Sequence, residues 1–118
     1  MTTLSLTARG LAAAFVLSAV FLAPPVTARA DDEPIILTIK DHRFTPEIVE
    51  VPAGKKIKLL VRNEDPTPEE FESYELNREK VIPGGSQAVV IIGPLEPGTY
   101  EFFGEFNIDT AQGKIVAK

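Results

Sequence analysis

The chain has 118 residues, with 12 Lys plus Arg against 17 Asp plus Glu, 44% hydrophobic residues, no Cys, no Trp, one His and one Met. Beyond Met1 it therefore offers no thioether, no thiol and a single imidazole, His42. These counts exclude zinc fingers, iron–sulfur clusters, thiolate copper, cysteine nucleophiles and disulfide staples, together with any metal site that needs two or three imidazoles.

Arg9 precedes an uncharged apolar run from Leu11 to Ala23, Pro24 and Pro25 then break a helix, and Ala28-Arg29-Ala30 places small residues three and one before a cut. That order predicts a secretory signal peptide over residues 1–30. At about 1.5 Å per residue the run reaches roughly 20 Å, short of the roughly 30 Å hydrocarbon core of a bilayer. An uncleaved N-terminal anchor is the alternative, and either route exports a single domain over residues 31–118 to the periplasm. Loss of Arg9 and Arg29 leaves that domain 10 basic residues against 17 acidic ones, a formal charge of −7. Such a field disfavours nucleic acid and anionic lipid and favours cations or basic surfaces.

After the acidic leader Asp31-Asp32-Glu33-Pro34, the run Ile35-Ile36-Leu37-Thr38-Ile39-Lys40 reads as the first strand. Asp41 to Pro46 reads as a connector, and Ile48, Val49 and Val51 before Pro52-Ala53-Gly54 as a second strand ending in a turn. Ile57, Leu59 and Val61 alternate with Lys58, Leu60 and Arg62, a period of two that turns one face inward on a third strand ending at Asn63. Two prolines and four acids make residues 64–70 an exposed loop. Extended structure resumes at Phe71 and Ser73, with Tyr74-Glu75-Leu76 a candidate continuation, and Lys80-Val81-Ile82 leads to a turn at Pro83-Gly84-Gly85. Ala88 to Ile92 is a buried strand, Thr99 to Phe102 another, residues 104–113 a loop, and Lys114 to Ala117 the closing strand. Short strands at intervals of about 8 to 12 residues between Pro and Gly turns predict an all-β fold, an antiparallel Greek-key β-sandwich of about seven to eight strands. Tyr100, shortly after a Pro-Gly turn, suits either a tyrosine corner or an ordinary core edge.

Four stretches carry a more specific signal: Phe44-Thr45-Pro46 through Val51-Pro52-Ala53-Gly54; Asn63-Glu64-Asp65 through Glu69-Glu70-Phe71-Glu72-Ser73; Glu79 through Gly85; and Pro97 through Phe106 with Asp109-Thr110-Ala111-Gln112-Gly113. Together they resemble the cupredoxin superfamily, specifically the small exported cupredoxin-like proteins that accompany Ftr-type bacterial iron-uptake systems, with the cupredoxin module of EfeO a more distant relative. The resemblance implies a metal site at one end of the sandwich, between the loop after the third strand and the loop before the last. Blue-copper members have a His where this chain has Glu69 and Glu70, a Cys where it has Gly104, a His where it has Asn107, and a Met that is missing between Ile108 and Gly113. No type 1 copper is therefore expected. Close Ftr-type relatives are expected to have His at the position of Asn107, so the chain departs from those too.

The donors left at that end are oxygens, from Glu69, Glu70 and Glu72 on one loop and Glu105, Asn107 and Asp109 on the other, with Glu75 nearby in sequence. Oxygen ligands suit hard cations, and the expected site is iron held by Glu69 or Glu70, Glu72 and Glu105 with Asn107 as carbonyl ligand or bracing group. The alternative is a solvated acidic rim; with Phe71 in the core, alternation turns Glu70 and Glu72 both to solvent, a placement compatible with either role. His42, flanked by Asp41 and Arg43, reads as a turn residue with metal ligation as the alternative. Phe102 reads as core and Phe103, pointing the other way, as a partner contact. The resemblance implies an accessory protein that binds or relays iron beside a permease or another periplasmic subunit, contacting the membrane only through that partner or an uncleaved leader. A metal-free interaction module is the competing expectation. No hydrolytic triad or nucleophile elbow is present, so no independent catalytic activity is expected.

Overall fold

The computed structural model describes residues 33–118 together with Thr2, Thr3, Ala14, Val16 and Ser18. Apart from those five positions, the expected signal peptide lies outside the described residues. Among the described residues no helix is long and apolar enough to cross a membrane. The described residues form nine strands in order: β1 (Ile35–Lys40), β2 (Arg43–Thr45), β3 (Ile48–Val51), β4 (Ile57–Asn63), β5 (Glu69–Ser73), β6 (Arg78–Ile82), β7 (Gln87–Ile92), β8 (Gly98–Gly104) and β9 (Gln112–Ala117), with a 3-10 turn at Glu105–Asn107.

The strands form two sheets, one ordered β2-β1-β4-β7 and the other β3-β9-β8-β5-β6. The period-two pattern sets their facing. Leu37, Ile39, Leu59, Val61 and Ile92 from the first sheet meet Phe71, Phe102 and Ile115 from the second in one buried core. Phe102 lies at its centre, with ring centroids 5.0 Å from Phe44 and 5.2 Å from Phe71, so it is core as expected. The Tyr100 hydroxyl donates to the Glu96 carbonyl at 2.8 Å, the bond of a tyrosine corner.

The sheets are mixed where the sequence predicts antiparallel pairing. β1 runs parallel to β4 and β3 parallel to β9. After β2 the chain crosses to the second sheet for β3 before returning as β4, and that crossover lets neighbours run the same way. Residues 43–45, expected as part of a connector, form β2 and pair with β1 in a hairpin. Its turn holds Asp41 and His42 at φ 52 and 58, a conformation that Asp and His tolerate better than most residues. Glu69 and Glu70, expected in a loop, begin β5, while Tyr74 to Asn77 turn back into β6 rather than extend the strand.

Candidate functional site

β5 decides what each acid can do, because its residues alternate between the core and the outer face. Glu69, Phe71 and Ser73 point inward, and Glu70 and Glu72 point outward. The five residues expected to share one site are thereby divided.

The inner group is Glu69 with Asn107. Glu69 is only 1% exposed. Its Oε1 accepts from the backbone N–H groups of Glu70 and Phe106, each at 3.0 Å, and its Oε2 accepts from Asn107 Nδ2 at 2.7 Å. The Phe106 N–H is free to reach it because the chain turns through Glu105–Asn107 at the end of β8. Gly104 makes the room: a Cβ there would stand 2.7 Å from Glu69 Cδ and 2.6 Å from Ala111 Cβ. The carboxylate is thus hydrogen-bonded through both oxygens and ties together the two loops expected to converge.

The outer group is Glu70, Glu72 and Glu79, one carboxylate oxygen from each lying within 4.8 Å of the others. Glu72 is flanked on both sides within its sheet, opposite Glu79 on the edge strand β6 and opposite Phe103 on β8. Tyr74 packs against Phe103 with ring centroids 5.3 Å apart. The expectation that both outward acids face solvent fails for Glu72, which is 7% exposed, because its sheet neighbours enclose it. Its Oε2 is buried with no hydrogen-bond partner. Burial first and then the charges of Glu105 and Glu79 push the Glu70 carboxyl above its ordinary range, while burial and then Glu79, Glu105 and Glu70 do the same to Glu72. Like charges directly opposite on adjacent strands are unfavourable, and a proton or a cation relieves them. Oxygens bound to one cation at about 2.0–2.6 Å stand roughly 3 to 5 Å apart, so the spacing suits a hard ion.

Glu105 adds its field to this cluster but is not among the three closest carboxylates. Glu75 turns away and accepts from the Glu101 N–H at 2.8 Å, and Asp109 stands exposed. His42 lies in the β1–β2 turn, its Nδ1 3.7 Å from Asp65 Oδ2, and has no place in the outer cluster. Glu79 was not expected in the site. A tight turn centred near Asn77, which has φ 52, pairs Glu72 with Glu79. Reading Tyr74 to Leu76 as strand conceals that register, while Asn77 as a turn residue is the sequence signal that reveals it.

A family model described as the cupredoxin-like domain matches residues 11–117. An uncharacterized protein of Rickettsia prowazekii (strain Madrid E) is 54% identical over 80 residues, covering 68% of this chain and 64% of that protein, so the chain spans less than two thirds of that relative's length. Among solved structures, the Cu(I)-bound metal-binding domain of the Cu(I)-exporting P-type ATPase CopA of Streptococcus pneumoniae D39 aligns with a TM-score of 0.65 at 16% identity, over 72% of this chain and 84% of that one. Auracyanin A, a blue copper protein of Chloroflexus aurantiacus, aligns with a TM-score of 0.62 at 12% identity, over 73% and 98%. At these identities the likeness is one of fold. The residues present do not fit a blue copper ion: no thiolate exists in the chain, Gly104 has no donor side chain, and the Glu69 carboxylate and Asn107 amide are bonded to each other.

Proposed function

This chain belongs to the cupredoxin-like domain family, and from that premise we propose that it is an exported accessory protein of a bacterial iron-uptake system, binding or relaying iron through carboxylate oxygens. The observation that carries this reading is the outer carboxylate cluster, in which one carboxylate oxygen each of Glu70, Glu72 and Glu79 lies within 4.8 Å of the others and Glu72 Oε2 is buried with no hydrogen-bond partner. Glu70, Glu72 and Glu79 are the ligands in this reading, with Glu105 adding negative potential. Glu69 and Asn107 serve as the brace that holds the end of the sandwich beside them, rather than as ligands.

Iron suits the donors because ferric and ferrous ions accept carboxylate oxygen, and three carboxylates held close without a counter-ion repel one another. The Ftr-type resemblance supplies the iron and the partner, a permease or another periplasmic subunit. The domain itself performs no redox turnover in this scheme; oxidation, where it occurs, is carried by iron or by a copper centre on another subunit. A metal-free interaction module is the second reading, favoured by Phe106 and Ile108, which stand 50% and 52% exposed at the Glu69 end.

Isothermal titration of the purified protein with Fe(II) or ferric citrate tests the proposal. Binding that Glu72→Gln weakens about tenfold or more, equivalent to roughly 1.4 kcal/mol, is expected. Binding no tighter in the wild type than in Glu72→Gln removes the iron site, and partner capture indifferent to chelator then selects the interaction module.

A further inference from the structure

The two outer faces of the sandwich carry opposite charge, although the domain as a whole is acidic. On the outer face of the β2-β1-β4-β7 sheet, alternation places Lys40, Arg43, Lys58 and Arg62 and no acid. None of these four makes an ion pair among the described residues. Between them runs an unbroken apolar row, because Ile36 lies opposite Leu60 and Leu60 opposite Val89. Ile36 and Val89 are 43% and 48% exposed. The outer face of the other sheet carries Glu50, Glu70, Glu72, Glu79 and Glu101 against Lys114, with Lys118 bridging Glu50 at 2.9 Å. That face also holds a groove of about 410 Å3, walled by Ile48, Phe103 and Ile108 and bordered by Glu47 and Glu101, with Lys114 the one cation in its lining, so the acids outnumber it two to one.

We propose that these faces recognise each other between copies, the cation-bordered row Ile36-Leu60-Val89 of one molecule docking head to tail on the acid-bordered groove of a second. Both partners of the charge complementarity are present on this one chain. The net charge of −7 over residues 31–118 opposes association at a distance, but beyond the Debye length of about 8 Å at physiological salt it is screened, so the facing charges govern contact. The row has no aromatic side chain of the kind that anchors a protein in a bilayer interface, which sets a protein surface above a membrane as its occupant. Four strands about 4.8 Å apart and roughly 20 Å long present about 400 Å2 per copy. The total falls below the roughly 1,000 Å2 of a stable interface, so the contact is weak and reversible. Being head to tail, it leaves one face of each kind free at the ends and extends with concentration.

Sedimentation velocity of the purified protein tests this. The weight-average sedimentation coefficient is expected to rise toward that of a dimer as concentration approaches about 1 mM at about 150 mM salt, and to return to the monomer value at about 1 M salt, where the Debye length of about 3 Å screens the facing charges as well. Lys58→Glu with Arg62→Glu abolishes the rise, as does Glu47→Lys with Glu101→Lys, and an equimolar mixture of the two double variants restores it, because each keeps the face the other has lost. All four positions are exposed and lie outside the carboxylate cluster, so iron binding is unaffected by the outcome; the salt series on the wild type decides the matter even where a variant fails to fold. A wild-type protein that stays monomeric throughout, or an association that Lys58→Glu with Arg62→Glu leaves unchanged, overturns the proposal. Binding of a monomeric wild type to vesicles containing about 30% phosphatidylglycerol also overturns it and assigns the face to a membrane.

Discussion

Two glutamates three positions apart on β5 behave oppositely because they point to opposite faces. Glu69 is a structural anion. Glu69→Ala orphans the N–H groups of Glu70 and Phe106 and the Asn107 amide, and hydrogen bonds to a charged group are worth about 1.5–3 kcal/mol each. A stability loss of about 3 kcal/mol or more is therefore expected in urea unfolding, with Glu69→Gln losing less because it keeps an oxygen in place. Glu72 is the reverse case, an acid whose ionised form the fold disfavours. Its folded pKa lies above the unfolded value, so its contribution to stability is fully present below the ordinary carboxylate range and is lost as pH rises through the raised value. Metal-free wild type should accordingly gain stability on acidification from neutral pH to just below that range. Glu72→Gln should melt a few degrees higher at neutral pH, with the difference closing as pH falls; thermal melts from neutral pH down to below about 4, the ordinary carboxylate range, would read it. A wild type already as stable as Glu72→Gln at neutral pH refutes the frustrated cluster. Alternation around Phe71 was legible in the residues, and with it the shared face of Glu70 and Glu72. The enclosure of Glu72 was not, because it depends on Phe103 and Glu79, which arrive from other strands.

At the scale of elements, Asp65 performs for the β1–β2 hairpin what Glu69 performs for the end loops. Its carboxylate accepts from the Asp41 N–H at 2.7 Å and the His42 N–H at 3.0 Å. Asn63 completes the arrangement, accepting from the Asp65 N–H at 3.0 Å and donating to the Thr67 and Ile82 carbonyls at 2.8 and 3.1 Å. Asp65→Ala leaves two turn N–H groups without their charged acceptor and is expected to destabilise the protein by about 2–3 kcal/mol. Hydrogen exchange of the 41 and 42 amides should accelerate in that variant; unchanged protection would remove Asp65 as the clamp. This hairpin escaped the sequence reading for a definite reason. Its turn is Asp-His with no glycine, and β2 is three residues long, too short for a period of two to stand out. The longer β4 and β7, with three inward apolar residues or a continuous apolar run, were recognised without tertiary information.

For the whole molecule, charge and hydrophobicity are partitioned by the same alternation that builds the core. Each strand sends one set of side chains inward, and the remaining set accumulates on one of two outer faces. An acidic composition therefore conceals a face that is locally basic, and the expectation of repulsion from every anionic surface holds only for the far field. The apolar alternation, the Pro and Gly punctuation and the missing thiol were enough, by themselves, to determine an all-β sandwich with no blue-copper ligand set, since these depend on local periodicity and on side-chain chemistry that no folding can supply. Only the tertiary structure decided which acids meet. It paired Glu69 with Asn107 inside and Glu72 with Glu79 outside, made two of the strand pairings parallel, and separated the charges between two faces. Register and sheet order bring together residues distant along the chain, and neither is written in the local pattern of any single strand.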